Sequence, residues 1–242
     1  MTVKVIIDAF CCAGGATRGY KLALPDVLVV GIDCEPQPNY CGDGFLQYDA
    51  IQALRTLADG GLLPFVMRDG STLWVGKSHV VFMHTSPPCQ AGSALTAGTN
   101  AGREYPQLIP ATRDACETLG IPYVIENVAG APIIQEIRLC GEMFGLGVIA
   151  HRYFEFGCVA EIPEQPTHLP HRGRVRGWRH GQYHDGPYIA CYGEGGGKGT
   201  IKEKQVAQGI DWMTTHHELN EAIPPAYTQW IGLSVVAPMV AS

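Results

Sequence analysis

A cysteine placed directly after two prolines is the feature of this sequence that first suggests chemistry. Cys89 stands in SPPCQAGS (86–93), just beyond the apolar run HVVFMH (79–84). That run is rich in β-branched and aromatic residues, which predicts a short buried strand. Because successive prolines exclude helix, we expect Cys89 on a stiff segment past the carboxyl end of the strand, where open α/β sheets bind ligands. The alternative for Cys89 alone is a buried structural cysteine.

A glycine-containing loop follows the first apolar run and suggests a second binding element. The run VKVIIDAF (3–10) contains Asp8 and leads into CCAGGA, which carries Gly14 and Gly15. Glycines at this point let backbone amides approach a ligand at the start of the next helix. The pattern G-x-G-x-x-G is absent, so we expect a nucleoside ligand smaller than a dinucleotide. A tight turn without a ligand is the alternative.

Acidic residues follow the next two predicted strands. Asp33 and Glu35 end the run DVLVVGID and its loop, and Asp49 follows GFLQY. An acid at the end of the second strand can bind the two hydroxyls of a ribose. Asp49 could accept a hydrogen bond from an adenine amino group.

Strand-like and helix-like segments alternate through the first half of the chain, which predicts an α/β fold with a doubly wound, mostly parallel sheet. The strand-like runs are 3–10, 26–33, 44–50, 79–84 and 121–128. Residues 158–200 are rich in Gly, Pro, His and Arg with little apolar periodicity, and a helical apolar pattern returns at 226–240. We therefore expect a core domain of residues 1–157 plus 222–242 and a small, loop-rich segment at 158–221.

The composition limits the class of protein. The 242 residues are 46% hydrophobic, enough for one full core. No run approaches the length of a membrane span and the start lacks the order of a signal peptide, so we expect a soluble, cytoplasmic protein with no membrane partner. Nine cysteines without a C-x-x-C pair predict reduced thiols and no zinc site. The net charge of −6 argues against non-specific nucleic-acid binding by the whole surface.

Six segments, taken in order, resemble the motifs of the DNA (cytosine-5) methyltransferases. They are DAFCCAGGATRGYKLA, GIDCEPQ, SPPCQAGS, VIENVAG, HRYFEF and IPPAYTQWIG. The chain departs from the usual motifs at Cys12, Ala150 and Leu233, where the family commonly has glycine, arginine and asparagine. The resemblance implies a Rossmann-like class I methyltransferase with S-adenosylmethionine as cofactor and a small target-recognition insert.

The resemblance also implies roles for individual residues. Cys89 would add to C6 of cytosine, Glu126 would hold N3 and the exocyclic amine, and Arg152 would contact the base. Because C5 is inaccessible in a stacked duplex, the base must be flipped out. The implied cofactor contacts are Asp8, Phe10, Gly14, Gly15, Asp33, Cys34, Asp49 and Pro87, and the implied nucleic-acid contacts near the nucleophile are Gln90 and Ser93. A solvated glutamate and a surface ion pair are the alternatives for Glu126 and Arg152 taken alone.

An arginine-rich stretch, THLPHRGRVRGWRHGQYH, lies in the expected recognition segment. Alternating arginines on one side of an extended strand would meet phosphates or guanine edges, and Trp178 could stack or wedge. The arginines are Arg172, Arg174, Arg176 and Arg179. A solvated basic loop is the alternative, and the nearby histidines lack companion cysteines at metal-ligand spacing.

The sequence therefore predicts a methyltransferase that acts on cytosine C5 in double-stranded DNA as a monomer. A tRNA cytosine-5 methyltransferase and a catalytically silent nucleic-acid-binding relative are the alternatives. The presence of both Cys89 and Glu126 argues against a silent relative, because the fold alone requires neither residue.

Overall fold

A nine-stranded sheet forms the centre of the molecule. The computed structural model describes residues 3–88, 108–134, 136–158, 173–192 and 197–241, with only the backbone of Arg179. The strands of this sheet are β1 (Val5–Ala9), β2 (Leu28–Asp33), β3 (Gly44–Gln47), β4 (Leu63–Met67), β5 (Thr72–Val75), β6 (Val80–Thr85), β7 (Tyr123–Asn127), β8 (Ile137–Leu139) and β9 (Arg152–Phe156). Their spatial order is β5-β4-β3-β2-β1-β6-β7-β9-β8.

The sheet is wound outward in both directions from β1. The neighbours from β3 through β7 in the spatial order are all parallel, whereas β4 and β9 run against the strands beside them. The predicted α/β class with a doubly wound, mostly parallel sheet is confirmed. In such sheets the crevice at the carboxyl ends, beside the strand where the winding reverses, is where ligands bind.

Helices cover both faces of the sheet. The helices are α1 (Gly15–Ala23), α2 (Ala50–Ala58), α3 (Leu108–Leu119), α4 (Ile201–Gln208), α5 (His216–Glu221), α6 (Pro225–Ile231) and α7 (Ala237–Ala241). One apolar core joins α2 and α3 to one face, and a second joins α1 and α6 to the other. Strand side chains point alternately to the two faces, so both alternating sets of residues in β1 are buried.

Residues 201–221, part of the expected recognition segment, pack against the loop that follows β1. Met213 and Leu219 share a small apolar cluster with Ala13. The Trp212 indole Nε1 also donates a hydrogen bond to the Ala13 carbonyl oxygen at 2.8 Å. The end of this segment therefore supports the glycine loop directly.

The remainder of that segment contains a separate two-stranded hairpin, β10 (Gly177–Arg179) and β11 (Gln182–His184). A second hairpin, formed by β4 and β5, extends the main sheet at one edge. Neither hairpin is predicted by the sequence pattern.

Several properties of the described residues bear on the expectations from composition. All eight cysteines in this part of the chain are free thiols. No helix within the described ranges has the length and apolarity needed to cross a membrane. The same ranges contain no cluster of three or more His, Cys, Asp or Glu residues that could hold a metal ion.

Close backbone contact between α1 and α6 depends on Gly19. A Cβ atom at Gly19 would lie 2.1 Å from both the Pro225 carbonyl oxygen and Thr228 Oγ1. Thr228 Oγ1 donates a hydrogen bond to the Ala16 carbonyl oxygen at 2.7 Å, so the two helices cannot separate without losing a buried bond.

We expect Gly19→Ala to destabilise the protein by about 1–3 kcal/mol, the usual cost of overpacking. In a helix, alanine is ordinarily more favourable than glycine by about 0.5–1 kcal/mol. A loss of stability in Gly19→Ala would therefore be caused by the close contact with α6. Urea unfolding would measure the change. Gly76→Ala is the control, because the one close contact of its Cβ among the described residues would be the flexible tip of exposed Leu62, and its other neighbours lie 3.9 Å or more away. Equal stability of the two variants would contradict the prediction.

Candidate active site

Strand register places a series of polar side chains on one face of the sheet, near its carboxyl edge. Asp8 is paired with Gly31 of β2 and with His84 of β6, and His84 is paired with Val124 of β7. Because side chains repeat with a period of two, residues two positions further along share the same face. The polar residues brought to this face are Asp33, Asp8, His84, Ser86, Glu126 and Arg152.

Glu126 and Arg152 form a buried ion pair at this edge. Glu126 is only 6% exposed, and its Oε1 lies 3.0 Å from Arg152 Nε. The register pairs Glu126 with Phe154, so Arg152 is its diagonal neighbour on the antiparallel strand. Arg152 Nη2 also donates to the Ala222 carbonyl oxygen at 3.4 Å. The Arg152 side chain is 15% exposed, so this pair is largely removed from water, unlike the surface ion pair that the sequence left open.

The Glu126 carboxyl retains capacity to bind a ligand. Burial raises its pKa, while the nearby Arg152 charge and a hydrogen bond from Ser86 act in the opposite direction. The contact with Arg152 lacks hydrogen-bond alignment, and no other described residue donates an aligned bond to Oε1. A buried carboxyl oxygen without such a donor is an acceptor available to a substrate.

Asn127 joins the two segments that carry the predicted catalytic residues. Its Nδ2 donates a buried hydrogen bond of 2.8 Å to the Pro87 carbonyl oxygen. This bond holds the start of the SPPC segment against the end of β7. Cys89, Gln90 and Ser93 lie outside the described residues, so the structure follows this segment as far as Pro88.

Asp33 fixes the loops after β1 and β2. Its Oδ2 accepts a hydrogen bond from the Cys12 backbone N–H at 2.9 Å, and its Oδ1 accepts one from the Glu35 N–H at 3.0 Å. An ionised carboxylate has about four acceptor positions, so Asp33 keeps some for a ligand.

Asp49 and Cys34 also lie at this end of the sheet. Asp49 is the N-cap of α2, since its Oδ1 accepts the Gln52 N–H at 2.8 Å. Cys34 is exposed, and its carbonyl oxygen accepts a bond from Gln47 Nε2 at 3.1 Å. Asp49 caps a helix and the Cys34 carbonyl oxygen binds Gln47. Neither interaction excludes the cofactor contact predicted for these residues.

The glycine loop is strained and closely packed. Phe10 and Cys12 have φ angles of 60° and 44°, a left-handed conformation that non-glycine residues rarely adopt. Such strain costs about 1–3 kcal/mol per residue and is concentrated at functional sites. Gly14 is left-handed as well, and a Cβ on Gly15 would lie 2.5 Å from the Ile223 carbonyl oxygen. These glycines are therefore required by chain packing, besides any role toward a ligand.

Asp8 connects β1 to the first turn of α1. Its Oδ2 accepts hydrogen bonds from the Thr17 backbone N–H at 3.0 Å and from Thr17 Oγ1 at 2.5 Å. Its Oδ1 is buried and accepts no hydrogen bond from any described residue. Burial raises the pKa of Asp8 to about 7. Asp8 is thus an acid that takes up and releases its proton near neutral pH.

Arg174 and Arg176 of the basic stretch bind acids of the protein itself. Arg174 Nη2 pairs with Glu142 and also donates to the Tyr188 hydroxyl at 3.2 Å. Arg176 Nη2 lies 2.8 Å from Glu203 Oε1. Arg172 and the side chain of Arg179 lie outside the described residues. Arg174 and Arg176 therefore connect the segment to the rest of the protein.

The hairpin formed by β10 and β11 presents aromatic side chains to solvent. Trp178 is paired with Tyr183, with ring centroids 5.5 Å apart and planes at 63°. The two residues are 59% and 43% exposed. The hairpin therefore carries an exposed aromatic pair on its surface.

Sequence reasoning missed His84 and Tyr20, which lie behind Glu126. His84 is fully buried within β6, and its Nδ1 is 2.9 Å from the Tyr20 hydroxyl. One signal for His84 was present in the sequence: it is a titratable residue inside an apolar strand. A buried polar group requires a hydrogen-bond partner, which the structure supplies as Tyr20.

Comparison with known proteins adds little to this picture. No protein-family model matches the chain, and no curated protein matches it. Among solved structures, the methyltransferase EhMeth of Entamoeba histolytica is similar to 99% of this chain over 96% of its own, with 12% identity and a TM-score of 0.45. A likeness of this extent carries no argument about function.

The raised pKa of Asp8 predicts a pH-dependent stability. Folding favours the protonated acid, so its contribution is complete below about pH 4 and is lost as the pH rises toward 7. Asp8→Asn should remove this pH-dependent loss of stability, because an amide does not ionise. Its oxygen can still accept the hydrogen bonds from Thr17. Between pH 5 and 7 the variant should gain stability relative to wild type by about 1.4 kcal/mol per pH unit.

Urea unfolding across this pH range would measure the difference. Asp69→Asn is the control, because Asp69 is exposed and its pKa is lowered, so it stays ionised throughout. A parallel pH dependence of wild type and Asp8→Asn would contradict the prediction.

Proposed function

We propose that this chain is a class I methyltransferase that transfers a methyl group from S-adenosylmethionine to C5 of cytosine in DNA. The observation that carries the proposal is the buried Glu126–Arg152 pair, held beside the Pro87–Asn127 hydrogen bond at the carboxyl edge of the sheet. This places an acid, a guanidinium group and the start of the cysteine-bearing segment at one edge.

The residues at the ends of β1, β2 and β3 fit the proposed cofactor. Carboxylates there accept from hydroxyl and ammonium groups and repel phosphates, which favours a nucleoside with an amino-acid arm. Asp33 would hold the ribose, and Asp8 contributes a buried Oδ1 with no donor among the described residues. Asp49 and Phe10 would complete the site. When bound, S-adenosylmethionine supplies an electrophilic methyl carbon on a sulfonium sulfur.

The acid and the guanidinium group complement a cytosine ring. Glu126 Oε1 can face the N3 and exocyclic amine edge of the base, while Arg152 stabilises charge that develops on it. Because burial raises the pKa of Glu126, the residue is able to carry a proton closer to neutral pH than an ordinary glutamate does. Glu126 can therefore act as the acid that protonates N3.

Cys89 supplies the nucleophile in this proposal. Its thiolate forms a bond to C6 as Glu126 gives its proton to N3, and C5 of the resulting enamine becomes nucleophilic. After C5 has taken the methyl carbon from the sulfonium sulfur, water accepts the C5 proton, the C5–C6 double bond re-forms as Cys89 leaves as a thiolate, and N3 returns its proton to Glu126. The hydrogen bond from Asn127 to the Pro87 carbonyl oxygen holds the start of the cysteine-bearing segment at the end of β7, the strand that carries Glu126.

A duplex containing 5-fluorocytosine should trap a covalent adduct on Cys89, since fluorine at C5 prevents the final proton loss. Intact-protein mass spectrometry with S-adenosylmethionine present would detect the added mass. Cys89→Ser should form no adduct, whereas Cys158→Ser, which removes a half-buried thiol outside the proposed site, should react like wild type. Methylation of ordinary DNA without any adduct would show that the nucleophile is another group.

The exposed aromatic hairpin supports DNA as the substrate, because an aromatic side chain can stack on or wedge between bases. Trp178→Ala should weaken binding to a cognate duplex by roughly tenfold, the effect of about 1.4 kcal/mol. The melting temperature should stay unchanged, because the side chain is mostly exposed. Fluorescence anisotropy with duplex DNA and with a structured RNA would measure the affinities.

Trp74→Ala is a matched control for Trp178→Ala. Trp74 is 56% exposed against 59% for Trp178, but it lies on β5 at an outer edge of the main sheet. Equal losses of DNA affinity in the two variants would show that the hairpin does not contact DNA. A loss confined to RNA would favour the tRNA alternative.

A further inference from the structure

A continuous series of side-chain hydrogen bonds runs from α1 to the Glu126 carboxyl. The Tyr20 hydroxyl lies 2.9 Å from His84 Nδ1, and His84 Nε2 lies 3.0 Å from Ser86 Oγ. The register pairs Thr85 with Ile125, which sets Ser86 beside Glu126 on the same face of the sheet, and the Ser86 hydroxyl lowers the Glu126 pKa as a hydrogen-bond donor. Tyr20 and His84 are fully buried, so water does not compete along this part of the series.

The chemistry of the groups gives the series one direction when Glu126 is ionised. Burial lowers the pKa of His84 to about 3, so its ring is neutral and has a single N–H. Ser86 must donate its O–H to the carboxylate, so its oxygen accepts the N–H from His84 Nε2. His84 Nδ1 is then an acceptor, and the Tyr20 hydroxyl donates to it. Every donor therefore points toward Glu126.

Other charged and titratable groups surround Glu126 on the remaining sides. Arg152 of β9 stabilises the ionised carboxyl, whereas Asp8 of β1 opposes it. Cys12, in the loop after β1, and Tyr227 of α6 also lie within electrostatic range. Burial raises the pKa of both groups well above neutrality, so they stay uncharged near pH 7 and contribute little to the Glu126 charge.

We propose that Tyr20, His84 and Ser86 are positioning residues that orient Glu126 and stabilise its ionised form during catalysis. The inference deepens the proposed function and rests on it for the identity of the nucleobase that Glu126 protonates. When the Glu126 O–H bond breaks and the N3–H bond forms, the negative charge left on the carboxyl meets donors already in place. One carboxyl oxygen is thereby held toward Ser86, which leaves Oε1 for the substrate.

The first test measures the pKa of Glu126 directly by carbon-13 NMR of carboxyl-labelled glutamate. The Glu126 resonance is the one missing from Glu126→Gln. Ser86→Ala should raise this pKa by about one pH unit or more, because the ionised carboxyl loses a charge-assisted hydrogen bond. Tyr20→Phe, which keeps the ring, should raise it by a smaller amount. An unchanged pKa in Ser86→Ala would overturn the proposal.

Thr85→Val is the matched control for Ser86→Ala. It removes a buried hydroxyl from the neighbouring residue, but that hydroxyl donates to the Val124 carbonyl oxygen at 3.1 Å and is outside the series. The Glu126 pKa should not move in this variant. Should Ser86→Ala fail to fold, Tyr20→Phe supplies the same test at the other end.

Nitrogen-15 NMR of His84 tests the direction of the series. Above the Glu126 pKa measured by carbon-13 NMR, the His84 ring should carry its proton on Nε2, and Tyr20→Phe should increase the population of the Nδ1–H tautomer. A wild-type ring protonated on Nδ1 would overturn the proposed direction.

The pH dependence of turnover separates this inference from the proposed function. Because Glu126 must be protonated to act as the acid, turnover falls as the pH rises through its pKa, and Ser86→Ala should move this alkaline limb upward by the NMR shift. Ser86→Thr keeps the hydroxyl and should return the alkaline limb of the turnover profile to its wild-type position. If the NMR shift occurs in a protein that does not methylate cytosine, the proposed function fails and the positioning series stands. If methylation is normal but neither the limb nor the resonance moves, the series has no such role.

Discussion

The register of the central strands is the constraint on which the candidate site depends. Side chains alternate between the two faces, so a slip of one residue in β7 would move Glu126 away from Arg152 and toward the core beneath α2 and α3. Apolar residues on both faces of β1, β6 and β7 oppose such a slip, because they are buried in the two apolar cores that also contain the helices. The geometry of the polar groups is thus maintained by the hydrophobic cores that flank the sheet.

Burial also determines the chemical character of the site. The same removal from water raises the pKa values of Asp8 and Glu126 and keeps His84 neutral. In such surroundings each hydrogen bond is strong and each missing partner is costly. Asp8 Oδ1 and Glu126 Oε1 accept no aligned hydrogen bond from a described residue, so a ligand that donates hydrogen bonds to them would gain affinity.

The sequence was sufficient to predict the parts of the fold that depend on local pattern. Long apolar runs indicated β1, β2, β6 and β7, and their carboxyl ends indicated the edge where Glu126 and Asp33 lie. The strand β4 contains Pro64, a residue that argues against a strand, and β5 is a four-residue strand that pairs with β4 alone among the described strands. The helices α4 and α5 have little apolar periodicity, although the capping boxes at Thr200 and Thr215 are a local signal for both.

Contacts between distant residues were beyond sequence reasoning. Arg174 and Arg176 looked available for a polyanion because the stretch around them lacks acids, yet Glu142 and Glu203 reach them from other elements. The series behind Glu126 likewise requires knowledge that α1 covers β6. Side-chain partners separated by many residues become visible only when the chain is folded.

The return of the last quarter of the chain onto α1 has a consequence for the order of events during synthesis. The hydrogen bond from Thr228 to Ala16 spans 212 residues, so the glycine loop and α1 leave the ribosome long before the segment that covers them. At about 5–20 residues per second, translation leaves this apolar surface uncovered for roughly 10–40 s. The nascent chain therefore passes through a long interval in which chaperones and proteases compete with folding for its amino-terminal half.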